Sequence, residues 1–180
     1  MLAVLFVILA AATRFLPFVL GYTPEWNFTP VGAALLFFGA QRSRKQMWFP
    51  LALLALSDLA LNRFVYHFPI TWETFVSTGW YAVALLIGSL LKDKVSPLRV
   101  VGASLAGSAS FFVISNFAVW AAYNMYPHTL AGLGLCYVKA IPFFRGTLGA
   151  DLIYTLAFFA TPVVVEAMQK QFASDNTATA

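Results

Sequence analysis

The chain has 180 residues, of which 61% are hydrophobic and 10% are charged, and its mean hydropathy is +0.78. Soluble domains carry about 25% charged residues, so this composition excludes a water-soluble globule. The single cysteine, Cys136, excludes an intrachain disulfide framework and a metal site built from paired cysteines. The net charge of +4 does not indicate nucleic-acid binding, because the basic residues are spread over the loops between apolar runs.

Apolar runs in this chain approach the roughly 20 residues that span a bilayer as a helix. They predict an all-α integral membrane protein with a bundle of six transmembrane helices. The predicted helices cover residues 2–20, 31–40, 47–61, 75–91, 98–122 and 146–168. The second is too short to span the bilayer unaided, although Thr29 and Pro30 favour a helix start there. We expect one domain over residues 1–171 and a flexible cytoplasmic tail over residues 172–180.

The basic residues predict how this bundle is oriented. Six helices place both termini and the loops at 41–46 and 92–97 on the same side of the membrane. Seven of the eleven basic residues lie on that side: Arg42, Arg44, Lys45, Lys92, Lys94, Arg99 and Lys170. By the positive-inside rule this side is cytoplasmic. We therefore expect a multi-pass protein of the bacterial inner membrane with both termini inside.

Polar residues within the apolar runs need an explanation, because a charge inside a bilayer costs roughly 2.5–3.5 kcal/mol. Arg14, Asp58, Asn116 and Asp151 belong to four predicted helices, and their positions place them in the outer third of the membrane. One interpretation is a packing network of buried ion pairs and hydrogen bonds. The other is an outward-facing pocket for a polar ligand, and the two are compatible.

The fifth loop, residues 123–145, is the longest and ends in the segment Ile141-Pro142-Phe143-Phe144-Arg145. It is predicted to be a re-entrant or lid segment, or an interfacial loop anchored by aromatic residues. Lys139 and Arg145 are plausible partners of Asp151 or of an anionic ligand group. If the sixth helix begins near Gly146, Asp151 also lies near the positive end of that helix dipole.

The candidate ligand-binding residues are the polar and aromatic side chains of this outer layer and of the outer loops. They are Arg14, Asn27, Asp58, Asn116, Trp120, His128, Lys139, Arg145 and Asp151. No catalytic or metal-binding residues are predicted, because the chain has no HExxH, GxSxG, P-loop or CxxC motif. The protein is therefore expected not to be an enzyme and to need no cofactor. The boldest hypothesis for the ligand is a corrinoid, because Cys136 and His128 could act as cobalt ligands.

Small residues recur every four positions along the fifth predicted helix, a spacing that allows close helix approach in lipid. One ladder consists of Gly102, Ala106 and Ser110, and the other of Ala103 and Gly107. They favour packing within the bundle, with docking to another membrane subunit as the alternative.

Four segments resemble the recurrent motifs of an uncharacterised bacterial membrane-protein family: Asn27-Phe28-Thr29-Pro30, Leu56-Ser57-Asp58, Asn116-Phe117-Ala118-Val119-Trp120 and Ala140-Ile141-Pro142-Phe143-Phe144-Arg145. The resemblance covers residues 7–159 and implies no established activity. It does imply that several of the candidate residues belong to the family pattern, namely Asn27, Asp58, Asn116, Trp120, Arg145 and Asp151.

A looser resemblance is to the substrate-binding S components of energy-coupling factor vitamin transporters. These are small six-helix proteins with both termini inside that bind a vitamin near the outer face. The Ala-xxx-Ala signature of their first helix is absent, because Val7 stands between Ala3 and Ala11. The resemblance therefore implies a solitary uptake protein.

Two functions follow as expectations. The first is a membrane-embedded protein that binds or takes up a small molecule, a vitamin or cofactor precursor, in the outer third of the bundle. The alternative is a non-catalytic accessory subunit of a larger membrane complex. Expected partners are the ligand, the lipid bilayer and, through the fifth helix, another membrane subunit, but not nucleic acid.

Overall fold

The structure is a computed structural model that describes residues 1–21, 28–67, 70–72 and 74–178. The described residues form an all-α fold, with a 3₁₀ turn at Arg44–Gln46 and a π-helical turn at Asn62–Tyr66. The α-helices are α1 Leu2–Thr13, α2 Leu16–Val19, α3 Val31–Gln41, α4 Trp48–Leu61, α5 Thr74–Ser89, α6 Pro97–Ala122 and α7 Leu130–Ala178.

Three helical segments in the described part of the chain are long and apolar enough to cross a membrane: Arg44–Tyr66, Pro97–Ala122 and Leu130–Ala173. Helices α1, α3 and α5 are apolar but shorter, with 12, 11 and 16 residues. The structure thus confirms an all-α protein with spans of membrane-crossing length.

Helix α3 occupies the centre of the bundle. Every residue from Val31 to Ala40 is buried, and the helix packs against α1, α5, α6 and α7. The sequence of this helix is apolar on all sides, which is the pattern of a helix enclosed by others. A helix that is too short to span the membrane alone is therefore the one around which the longer helices assemble.

Two glycines let α3 and α5 approach each other closely. A Cβ on Gly39 would collide with the backbone of Leu85, and a Cβ on Gly88 would collide with the backbone of Leu36.

The predicted small-residue ladders on α6 divide between two faces. Ala103 and Gly107 are buried, whereas Gly102 and Ala106 are exposed.

The break in the first apolar run falls where Arg14 and Pro17 interrupt it: α1 ends at Thr13, and α2 begins at Leu16 with proline in its first turn. At the start of α6, the side chain of Ser96 accepts a hydrogen bond from the backbone N–H of Arg99 and so caps the helix. Pro97 follows as the first residue of that helix. Both starts follow ordinary proline and serine preferences.

The prediction for the fifth loop and the sixth helix is wrong. Helix α7 is continuous for 49 residues from Leu130, so most of the predicted loop is helical and no helix begins near Gly146. Thr129 caps this start, because its hydroxyl accepts the N–H of Gly132 at 3.1 Å and its carbonyl accepts the N–H of Leu133 at 2.9 Å. Pro142 is accommodated inside the helix. The helix also continues past Phe172, where the tail was expected to start.

Candidate functional site

A buried ion pair joins the end of α1 to α4. The guanidinium of Arg14 donates through Nη2 to Oδ1 of Asp58 and through Nη1 to the hydroxyl of Ser57 at 2.5 Å. The hydroxyl of Tyr81, on α5, donates to the same Oδ1 at 3.1 Å. Arg14 and Asp58, two of the four polar residues expected in one layer, thus form a pair that links three helices.

The other oxygen of this carboxylate, Oδ2 of Asp58, is buried and has no hydrogen-bond partner among the described residues. The side chains of Arg14 and Asp58 are only 18% and 10% exposed. A buried charge is tolerated when an opposite charge lies beside it, so each member of this pair depends on the other.

Asp151 lies on α7 and is 4% exposed. Its Oδ2 accepts a hydrogen bond from the hydroxyl of Ser108, on α6, at 2.7 Å. Its carboxylate also fills the position that a Cβ on Gly32 would occupy, so it lies against the first turn of α3. The predicted dipole contribution from the sixth helix is therefore wrong, since α7 begins 21 residues before Asp151. The positive end that faces this carboxylate belongs to α3.

A cavity of about 700 Å³ opens between these two carboxylate sites. It lies where α1 and α4 end and where α3 and α5 begin, beside the middle of α6 and α7. Arg14 and Asp151 both line it. Among the described residues, the other polar and aromatic side chains on its wall are Thr13, Phe18, Phe28, Thr29, Tyr66, Ser77, Trp80, Tyr81, Phe111, Thr147 and Tyr154.

Two aromatic residues of this wall, Trp80 and Tyr81, were not predicted as site residues. The indole N–H of Trp80 is shared between the Gly107 carbonyl at 3.3 Å and the Ser110 hydroxyl at 3.1 Å, and the ring packs on Phe111. These contacts hold the tryptophan in place at the cavity. In an apolar helix, aromatic residues occur both on cavity walls and on lipid-facing surfaces. The sequence alone therefore does not identify Trp80 and Tyr81 as cavity residues.

Asn116, Trp120 and His128 form a separate group at the connection between α6 and α7. The Asn116 amide donates to the Phe112 carbonyl of its own helix at 2.8 Å. The indole N–H of Trp120 donates to the Pro127 carbonyl at 2.9 Å, and its ring lies 5.5 Å from that of exposed His128. None of the three is among the described residues that line the large cavity.

Lys139 and Arg145 lie on exposed positions of α7. The ion pairs of the described side chains join Arg14 to Asp58 and Lys170 to Glu166, so neither cation pairs with Asp151 as had been expected. Asn27, the remaining candidate, lies outside the described residues.

Cys136 is buried, and its thiol contacts the Asn116 carbonyl at 3.4 Å. His128, its suggested partner in a cobalt site, is exposed at the connection before α7. Within the described ranges, no group of three or more His, Cys, Asp or Glu side chains is placed to hold a metal ion.

Comparison with known proteins places the chain in a family. The model of a family of unknown function, DUF6580, matches residues 1–174. The chain belongs to DUF6580. The match covers all the described residues that line the cavity of this DUF6580 protein. No curated protein and no solved structure matches the chain.

Proposed function

We propose that this DUF6580 protein binds a small molecule in the cavity between Arg14 and Asp151. The cavity itself carries the proposal. Its volume of about 700 Å³ lies within the roughly 300–1,000 Å³ of ordinary ligand pockets, and it combines aromatic walls with a few polar groups. Arg14 and Asp151 line this space and do not fill it.

The wall chemistry suggests a class of ligand. Arg14 is held by Asp58 and Ser57 yet still lines the cavity, so it can donate to an acceptor on a ligand. The aromatic side chains of Trp80 and Tyr154 in the cavity wall suit a flat or apolar part of a ligand. A vitamin or cofactor precursor combines these features, and uptake of such a compound is the function we propose.

The proposed setting is a six-helix arrangement in a bacterial inner membrane with both termini inside, supported by the distribution of basic residues. In a variant without Cys136, a cysteine introduced at exposed Thr71 should react with an impermeant thiol reagent added outside intact cells. A cysteine introduced at exposed Ser43 should react only after the membrane is opened. Labelling in the opposite pattern would reverse the topology.

Ligand binding is tested by a melting screen of the detergent-purified protein with vitamins and cofactor precursors. At a hundredfold excess over Kd, a bound ligand should add about 2.7 kcal/mol to the free energy of unfolding and raise the melting temperature. Thr147→Phe fills part of the cavity wall and should remove this rise. Thr161→Phe is the matched control, because Thr161 lies on the same helix outside the cavity lining.

A rise that survives Thr147→Phe would locate the ligand elsewhere. A flat screen across all compounds would favour the second candidate function, an accessory subunit. One observation supports that candidate: Gly102 and Ala106 form an exposed small-residue face on α6, and a Cβ on Gly102 would meet nothing within 4 Å. A subunit should co-purify with stoichiometric partners from native membranes in mild detergent, whereas a solitary binder should not.

A further inference from the structure

Four polar side chains form a buried cluster between α6 and α7, directly beyond the floor of the cavity. Asp151, Ser108, Ser104 and Thr155 are 4%, 0%, 1% and 0% exposed. Only Asp151 also lines the cavity. The cluster is therefore enclosed by protein and plays no part in the proposed contact with an organic ligand, except through that one carboxylate.

The register of the two helices brings these residues together. Hydrogen bonds from Cys136 to Asn116, from Tyr137 to Val113 and from Ser108 to Asp151 show that α6 and α7 run antiparallel. Ser104 lies four residues before Ser108, and Thr155 lies four residues after Asp151. In antiparallel helices both steps lead in the same direction, so Ser104 and Thr155 lie one turn beyond the contact between Ser108 and Asp151.

The hydroxyls of Ser104 and Thr155 are buried and have no hydrogen-bond partner among the described residues. In an apolar helix such a hydroxyl usually donates to the carbonyl four residues earlier. Ser115 and Thr161 do so in this protein. Two buried hydroxyls without this bond at the same level of the bundle leave two oxygen atoms available to bind a further group.

Among the described residues, the carboxyl group of Asp151 also has no positively charged partner. No cation lies within ion-pair distance of Asp151 in the part of the chain that the structure describes, since Arg14 pairs with Asp58 and both Lys139 and Arg145 are exposed. The first turn of α3 at Gly32 supplies a partial positive charge, roughly half an elementary charge for a whole helix. This partial charge is smaller than the full charge that a counterion would supply.

We propose that this cluster binds a monovalent alkali cation, with Asp151 as the charged ligand and the hydroxyls of Ser104, Ser108 and Thr155 as neutral ligands. Oxygen donors of this kind suit hard cations. One positive charge balances one carboxylate, whereas a divalent ion would leave an excess charge in an apolar bundle. Because Asp151 faces both the cluster and the cavity, the cation would sit directly beneath the ligand site.

The test is a melting measurement of the purified full chain in NaCl, KCl or choline chloride at constant ionic strength and pH, with no organic ligand present. Na⁺ or K⁺ should raise the melting temperature above that in choline, saturably, by roughly 5–10 °C at a hundredfold excess over Kd. Equal melting temperatures in all three salts would overturn the proposal. So would stabilisation that follows pH but not the alkali cation, because Asp151 would then be neutralised by a proton.

Variants at Thr155 separate a ligand from a packing residue. Thr155→Val keeps the shape but removes the hydroxyl, and it should weaken the response to the cation at least tenfold in apparent Kd. Thr155→Ser should retain the response. Thr161→Val, which removes a hydroxyl that is bonded within its own helix, is the matched control and should behave as the parent.

Asp151→Asn should abolish the response. Should that variant fail to fold, Thr155→Val and binding of radiolabelled sodium to the parent protein still decide the question. Absence of saturable sodium or potassium binding would refute the site. Since these measurements use no organic ligand, a flat vitamin screen would refute the proposed function while leaving the cation site standing.

Discussion

Gly88→Val is expected to prevent native packing of α5 against α3. The Cβ would collide with the backbone of Leu36, and a buried backbone cannot turn away as a flexible side chain can. Overpacking against mobile side chains already costs about 1–3 kcal/mol, so the loss here should reach about 3 kcal/mol or more of unfolding free energy. Melting in detergent and the yield of monodisperse protein measure the effect.

Gly102→Ala is the control for this prediction. A Cβ at Gly102 meets nothing within 4 Å, and alanine is favoured over glycine within a helix by about 0.5–1 kcal/mol. This variant should therefore match or exceed the stability of the parent. Similar melting temperatures for Gly88→Val and Gly102→Ala would show that α3 and α5 are not in close contact in the protein.

Asp58→Ala is expected to destabilise the protein by roughly 3–5 kcal/mol, because the guanidinium of Arg14 would remain buried without its counterion. Arg14→Ala should have a similar effect, because it leaves the buried carboxylate of Asp58 without its counterion. Oδ2 of this carboxylate already lacks a hydrogen-bond partner among the described residues. Urea or thermal unfolding in detergent measures both losses.

Two comparisons make this result specific to the buried pair. Asp93→Ala removes an exposed aspartate after α5 and should be nearly neutral. The double variant Arg14→Met with Asp58→Leu removes both charges at once and should be less damaging than the sum of the single changes. Additive losses in the double variant would contradict the ion pair.

Helix positions were largely predictable from the sequence where apolar runs are bounded by capping or charged residues. The predicted segments at 31–40 and 98–122 correspond to α3 Val31–Gln41 and α6 Pro97–Ala122. The start of α7 was missed because Pro142 and two nearby cations suggested a break. An internal proline leaves a backbone carbonyl without its N–H donor, which costs free energy. The packing of a long apolar helix contributes more stabilisation than this loss.

For the candidate site, the sequence shows which polar residues need partners but not which partners they find. Arg14 and Asp58 were expected in one layer and do pair, since charges in an apolar bundle must be compensated. Residue counting places Asn116 at a similar depth, yet its side-chain amide donates to a carbonyl of its own helix. Depth follows from residue counting, whereas the direction of a side chain around the helix depends on the packing of all neighbours.

The enclosed position of α3 has a consequence for how the protein is made. This helix is synthesised before α5, α6 and α7, which supply most of its surroundings, and its 11 residues are too few to hold it across a bilayer alone. Until the carboxyl-terminal half is synthesised, α1 is the main helix against which α3 can pack. We therefore expect α3 to reach its enclosed position only after α5, α6 and α7 have been synthesised.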